Sequence, residues 1–379
     1  MKVFEIQIEY RGGSARVTAR VEPKGGRAQD VWFRLDGLEQ APTSAAEALA
    51  VGLLTPCMFE GEDLKIYGAL SWTLARNLEA AKDVLASWHP DLAPVDVLAS
   101  QFTRVWRGVR RPSGTALCFT AGINSWYSLL KHEHRVTHLI LVRGFDAELD
   151  DDDAWHDRRA RVGRIADQFG KRLVTCETNL RSIADKQNCT WGRRANANFW
   201  GPYLHGSALA AVGLLLQREV GGLIVSAVHT YQRLKPWGSS PLLDPLWSTD
   251  RMQTTHEGCE ASGMDKVRVV ATSDLALETL HVCDRASVNC GRCEKCLRWQ
   301  LALRVAGAPD SGRAFPVRLA MAEAHATLDA LGVTDQVTDT IAIPHRIAAA
   351  RYALRAALAE SQGPASETLA YRFAPRPHD

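Results

Sequence analysis

Between residues 106 and 308, short apolar runs rich in β-branched residues alternate with amphipathic helical stretches, and that alternation leaves few folds open to the chain. Runs at 116–120, 137–142, 172–176, 222–226 and 267–271 read as strands, with helical patterns at 126–132, 152–169, 202–219 and 273–280. Strands separated by helices build βαβ units, which place the strands side by side in one parallel sheet. In such sheets ligands collect beyond the carboxyl ends of the strands. The loops after residues 120, 142, 177 and 226 are therefore where chemistry is expected.

The flanks have a different texture. Residues 1–105 open with strand-like alternation at 3–10 and 15–21 around a turn-prone Arg11-Gly-Gly-Ser14, then a strand at 31–35 and helical patterns at 44–53 and 71–88. They read as a small N-terminal α+β module. Residues 309–379 are Ala-rich, helical in pattern at 319–331 and 345–361, and end in a Pro-containing tail. They read as a C-terminal helical extension.

Composition narrows the class. The 379 residues are 46% hydrophobic and 23% charged, ordinary for a globular protein and far from a disordered chain or a coiled coil. A formal net charge of +2 weighs against a protein that coats nucleic acid or anionic membrane. The longest apolar run, at 207–216, is about half the roughly 20 residues a bilayer span requires, so no membrane partner is expected. Residues 1–10 alternate like a strand rather than forming the apolar core of a signal peptide. A cytoplasmic location is the resulting expectation, and a reducing compartment makes clustered cysteines metal ligands before disulfides.

The first sheet strand runs into Thr120-Ala-Gly-Ile-Asn-Ser125, and a helix starts at once. A small-residue turn leading into a helix N-terminus points free backbone N–H groups and the positive end of the dipole at one spot, and Thr120 and Ser125 add hydroxyls. The same residues also suit an ordinary βα turn with Asn124 or Ser125 as cap. No Walker A or Gly-x-Gly-x-x-Gly sequence occurs. The segment, with Trp126-Tyr-Ser-Leu-Leu-Lys131 behind it, resembles the Ser-Gly-Gly-x-Asp-Ser loop of the PP-loop ATP pyrophosphatases. The resemblance covers roughly residues 115–305 and is closest to the cyano-deazaguanine synthase branch. It implies a doubly wound α/β sheet in which Thr120, Ala121, Gly122, Asn124 and Ser125 hold ATP phosphates and the strand backbone near Val142 holds adenine. Magnesium is implied with the ATP. Ala121 stands where the family has Gly, and Asn124 stands where it has Asp.

A second cluster is denser. Cys290-Gly-Arg-Cys293-Glu-Lys-Cys296, with Cys283 seven positions upstream, places four thiols within fourteen residues. Cys-x-x-Cys knuckles present two thiolates on one side of a turn, which suits tetrahedral zinc. A redox pair and an iron–sulfur cluster are the competing readings, and His281 is an alternative fourth ligand. The zinc of cyano-deazaguanine synthase has similar spacing, so the resemblance implies a structural zinc lobe. The remaining cysteines read as buried small apolar residues.

Substrate-facing candidates sit on two long loops. Between the strand at 222–226 and the cysteine cluster lie His229, Tyr231, Lys235 and Asp244, with Trp237 and Trp247 among three prolines. Earlier, Arg193 suits a phosphate or carboxylate clamp, and His205 opens a helix. The acidic run 148–153 reads as the opening of a helix.

Taken together, the expectation is an ATP-dependent adenylating enzyme that forms AMP and pyrophosphate while activating a carboxylate or amide for a nitrogen nucleophile. Its parts would be a module at 1–105, a PP-loop-like domain with the zinc site at 106–308 and an extension at 309–379. Ser125, Asn124 and Asp244 are the catalytic candidates. A small molecule or peptide would be the substrate, with a protein partner conceivable at the N-terminal module and nucleic acid disfavoured. A nucleotide-binding scaffold with a degenerate loop and a transfer-RNA-modifying enzyme are the competing functions.

Overall fold

A computed structural model describes residues 1–103, 111–184, 199–283, 285–308 and 313–317. They fall into two compact units, one of residues 1–120 with 128–260, the other of residues 121–127 with those from 261 onward. Arg193 and, apart from residues 313–317, the C-terminal extension lie outside the described residues.

The first unit is built on one ten-stranded sheet. It opens with an antiparallel meander, β1 (Lys2–Arg11), β2 (Ser14–Glu22) and β3 (Gln29–Asp36). Helix α1 (Ala45–Glu60), β4 (Leu64–Ser71), α2 (Trp72–Trp88) and β5 (Val97–Thr103) follow. Then come β6 (Gly114–Cys118), α3 (Ile123–Lys131), β7 (Val136–Arg143), α4 (Asp152–Gln168), β8 (Arg172–Thr178) and α5 (Leu180–Ala184). A π-helical turn at Trp200–Leu204 leads into α6 (His205–Leu215), and β9 (Val220–Ser226) and β10 (Gln253–Glu257) complete the unit. Helix α3 is shared, since its first residues belong to the second unit.

Strand order across the sheet is β10-β9-β6-β7-β8-β3-β2-β1-β4-β5. The five strands β10 to β8 are mutually parallel, as are β1, β4 and β5, and β8 meets β3 antiparallel. The architecture is thus α/β with a mostly parallel sheet. Strand β7 shows why: seven of its eight residues are buried, as expected for a strand covered on both faces. Strand β2 instead buries only alternate residues, Ala15, Val17, Ala19 and Val21, leaving its other face to solvent.

Helices α1 and α6 form the apolar centre of this unit. Fourteen of the sixteen α1 residues are buried, so α1 is a core helix and not an amphipathic one. Gly52 permits the close approach, because a Cβ there would meet Leu180 Cδ2 at 2.9 Å and Ala211 Cβ at 3.4 Å. The buried acid of α1, Glu47, is satisfied: it accepts from Ser71 N at 3.0 Å and from Gln217 Nε2 at 2.6 Å. The acidic run before α4 acts as a cap, with Asp151 accepting from Ala154 N at 2.9 Å and Asp152 pairing with Arg143 at 2.6 Å.

In the second unit α7 (Gly263–Val270), α8 (Asp274–Thr279) and α9 (Glu294–Val305) follow one another. Residues 267–271, expected as a strand, lie almost wholly in α7. A capping box decides the matter: Ser262 Oγ accepts from Asp265 N at 3.2 Å while the Asp265 carboxylate reaches back to Ser262 N at 3.0 Å. The last sheet strand is instead Gln253–Glu257, in a stretch where the sequence marked no element.

Candidate metal centre and active-site clusters

The four thiols come together in the second unit. The Sγ atoms of Cys283, Cys290, Cys293 and Cys296 all lie within 4.8 Å of one another. The Cys283–Cys293 and Cys290–Cys296 pairs are each 3.9 Å apart. A tetrahedral ion with sulfur at about 2.3 Å requires sulfurs ~3.8 Å apart, so one ion fits the cage. The spacing is too long for a disulfide, whose sulfurs sit about 2.05 Å apart. An iron cluster would splay its thiolates onto different irons. These residues could hold a metal such as zinc.

Local backbone prepares the ligands. Arg285 N, Cys293 N and Cys296 N donate to the sulfurs of Cys283, Cys290 and Cys293 at 3.4, 3.3 and 3.4 Å. Gly291 adopts φ +71°, and a Cβ there would meet Val317 at 2.6 Å. Burial opposes ionisation of Cys290, yet N–H donors from Arg292 and Cys293, with the Cys283 and Cys293 thiols, draw it down to about 6. Cys296 is pushed far above the ordinary thiol range by burial and by the neighbouring Cys293 and Cys283 sulfurs. Several thiolates cannot share this space without a cation, which is the chemistry of a metal cage. His281, the alternative ligand, is not among the clustered donors; its Nε2 lies 3.0 Å from the carbonyl of Ala286. Buried Asn289 braces the site, accepting from Val282 N and Cys283 N at 2.9 and 3.2 Å and donating to Leu280 O and Ala314 O at 2.7 and 2.8 Å.

The second unit also contains most of the small-residue turn. Ala121 is held in the left-handed region at φ +58°, where a side chain costs roughly 1–2 kcal/mol and glycine is the usual occupant. His281 N donates to Ala121 O at 2.9 Å, tying the turn to the segment that leads into the cysteines. Ser125 is buried and its hydroxyl donates to Gly122 O at 3.0 Å. Asn124 Oδ1 accepts from Lys266 Nζ at 3.2 Å, and that ammonium also lies 5.7 Å from the centre of the Tyr127 ring. Lys266 is only 2% exposed. Thr120, by contrast, is exposed at the end of the first unit's segment, and Val142 is buried within β7.

A different cluster stands in the first unit, around the carboxyl end of β10. Asp244 is fully buried in a short 3-10 turn, and its Oδ2 receives Ser239 Oγ at 2.8 Å and His256 Nδ1 at 2.7 Å. Burial would lower the His256 pKa, but Asp244 and Cys259 outweigh it and hold the ring at about 9. His205, the first residue of α6, goes the other way: burial lowers its pKa against the pull of Asp146 and Asp244. Asp244 Oδ1 and His205 Nδ1 are buried with no hydrogen-bond partner among the described residues.

Comparison with family models, curated proteins and solved structures returned no match.

The remaining candidates divide. His229 meets the Trp237 ring edge-on at 6.1 Å, and Lys235 Nζ lies 5.4 Å from the centre of the same ring. Tyr231 is 60% exposed and stands apart from the Asp244 cluster's hydrogen bonds. Trp247 is fully buried and anchors the loop, whereas Trp237 lies against the backbone of Gly201. Sequence reasoning missed His256, Lys266 and Asn289. The lone signal for His256 is its place two residues from Thr254 in a polar alternation.

Proposed function

We propose that this chain is an ATP-dependent adenylating enzyme of the PP-loop kind, with a structural zinc held by Cys283, Cys290, Cys293 and Cys296. The observation that carries the reading is the left-handed Ala121. The turn between β6 and α3 keeps a backbone conformation natural to glycine, although the glycine itself is gone. Strain of this kind persists where the backbone geometry is needed. The order β8-β7-β6-β9-β10 is that of doubly wound sheets, and β6 lies at the point where the order reverses, which supports a nucleotide at its carboxyl end.

In this reading backbone N–H groups of residues 121–125 and the α3 dipole take phosphate oxygens, with Thr120 and Ser125 adding hydroxyls. A substrate carboxylate or amide oxygen attacks the α-phosphorus, the bond to the bridging oxygen breaks, and pyrophosphate leaves. Ammonia or an amine then displaces AMP from the activated carbon. The chain contributes positioning and stabilisation of charge on the phosphorus oxygens. Asn124 orients, because a neutral amide is a poor ligand for magnesium, which would arrive with the nucleotide. Four thiolates close the zinc's coordination shell, so zinc would supply structure to the second unit and no open position.

ATP–pyrophosphate exchange in a pool of carboxylate metabolites and peptides tests the proposal. Exchange that disappears in Ser125→Ala is the expected result. The Asn124–Lys266 contact favours a second reading, a nucleotide-binding subunit without turnover. Its signature is ATP affinity with neither exchange nor AMP.

A further inference from the structure

We propose that a cavity at the amino ends of β6, β9 and β10 is a second ligand site, one that binds the phosphate group of a small phosphorylated metabolite. The cavity holds about 500 Å³, within the range of small-molecule sites. It is formed wholly by residues of the first unit, at the opposite end of β6 from Thr120. The inference therefore stands whether or not the turn after β6 holds a nucleotide.

The chemistry of the wall selects the ligand. Arg111 enters from the segment before β6, and His134 and Arg135 enter from the turn between α3 and β7. No carboxylate lines the cavity among the described residues. The side chains of His134 and Arg135 have no hydrogen bond or ion pair among those residues. Arg111 commits only Nε, which donates to Asp250 O at 2.8 Å and fixes the plane of the guanidinium. Nearby acids are engaged elsewhere: Asp250 bonds the Thr73 hydroxyl, and Glu219 accepts from Glu39 N and Gln40 N at 2.9 Å each. A cleft walled by one sign of charge concentrates the opposite ion. Guanidinium forks match phosphate oxygens two at a time. Two such forks and an imidazole offer more donors than the two oxygens of a carboxylate can take, whereas a phosphate monoester presents three terminal oxygens.

The base of the cavity is small and fixed. A Cβ on Gly221 would collide with the carbonyl of Pro112, so glycine there lets the Arg111–Pro112 segment lie against the start of β9. A Cβ on Gly222 would meet Thr115 Oγ1 at 3.0 Å, so β6 and β9 also approach closely. Thr137 Oγ1 accepts from Thr115 N at 3.0 Å and donates to Thr115 O at 3.2 Å, clasping β6 to β7. Thr115 and Leu223 are 7% and 0% exposed and give the body of a ligand a buried surface below the cationic wall.

The test titrates the full chain with ribose 5-phosphate, ribose and inorganic phosphate by calorimetry. Ribose 5-phosphate is expected to bind with a dissociation constant below about 1 mM, inorganic phosphate to compete with it, and ribose to give no heat. Arg111→Gln and Arg135→Gln should each weaken binding at least about tenfold, the scale of one charge-assisted hydrogen bond. Arg159→Gln, at an exposed position of α4 outside the cavity, should leave binding unchanged. Phenylglyoxal labelling read by peptide mass spectrometry locates the contact: ribose 5-phosphate should protect Arg111 and Arg135 together and leave Arg159 reactive. Failure of both phosphates to bind, or equal weakening by Arg159→Gln, overturns the proposal. Should either cavity variant unfold, the protection pattern of the wild type decides: joint protection of Arg111 and Arg135 supports the site, and its absence ends it.

Discussion

The ammonium of Lys266 lies 3.2 Å from the side-chain oxygen of Asn124, in a residue only 2% exposed. A buried cation is thus fixed beside the first turn of α3, at the position where the resembled loop has an aspartate. A neutral amide accepts from the ammonium without cancelling its charge, so the positive potential at the helix N-terminus is reinforced. Lys266→Met is expected to weaken ATP binding by about tenfold, the equivalent of one charge-assisted hydrogen bond. Asn124→Asp should make nucleotide binding more dependent on magnesium. Titration calorimetry with and without the metal reads both effects.

Ala121 makes a cleaner statement about backbone. Its φ of +58° suits glycine, so Ala121→Gly removes strain of roughly 1–2 kcal/mol and restores about 0.5–1 kcal/mol of chain entropy to the unfolded state. The expected net result is a modest gain in stability, below about 1.5 kcal/mol, read as a shift to higher urea midpoint. Ala121→Val, β-branched at the same φ, should be destabilised by at least about 2 kcal/mol. Equal midpoints for all three residues would remove the argument from strain.

How much of this was legible follows from where the information resides. Strand β7 and the cysteine cluster could be read because their signals are local: a continuous apolar run, and cysteines separated by two intervening residues. Residues 267–270 misled, since Val-Arg-Val-Val favours a strand, while the deciding signal was the capping box five residues earlier. Strand β10, Gln-Thr-Thr-His-Glu, was missed because it is polar and mostly half-buried at the edge of the sheet. The site divides the same way. Asp244 was marked by its loop, but its bond to His256 and the Lys266–Asn124 contact are tertiary, the latter spanning 142 positions in the chain.

Zinc and its brace give a third expectation. Metal analysis should find one zinc per chain, and chelation should melt the second unit, because binding energy at a four-thiolate site is folding energy. Asn289→Ala leaves two N–H groups and two carbonyls of residues 280, 282, 283 and 314 without their partner. A loss of about 3 kcal/mol follows if water replaces only part of them. The check is calorimetric melting beside zinc release to a chromogenic chelator; Asn289→Asp, which keeps the acceptor, should retain more metal than Asn289→Ala.

The Asp244–His256 pair predicts how stability depends on pH. Burial works against charge on His256, but Asp244 and Cys259 raise its folded pKa to about 9 from 6.5, so the pair contributes fully below pH 6.5 and fades as pH rises through about 9. At 1.36 kcal/mol per unit the contribution is on the order of 3 kcal/mol. His205 acts in the opposite sense: burial depresses its pKa, so protonation below about 6.5 costs stability. Urea midpoints should therefore pass through a maximum near neutral pH and fall on both sides. His256→Gln should flatten the alkaline limb and leave the acid limb, and His205→Gln should do the reverse. Asp244→Asn, which strands a buried imidazolium, is expected to cost about 3–5 kcal/mol at neutral pH. An alkaline limb that survives in His256→Gln would assign it to another group.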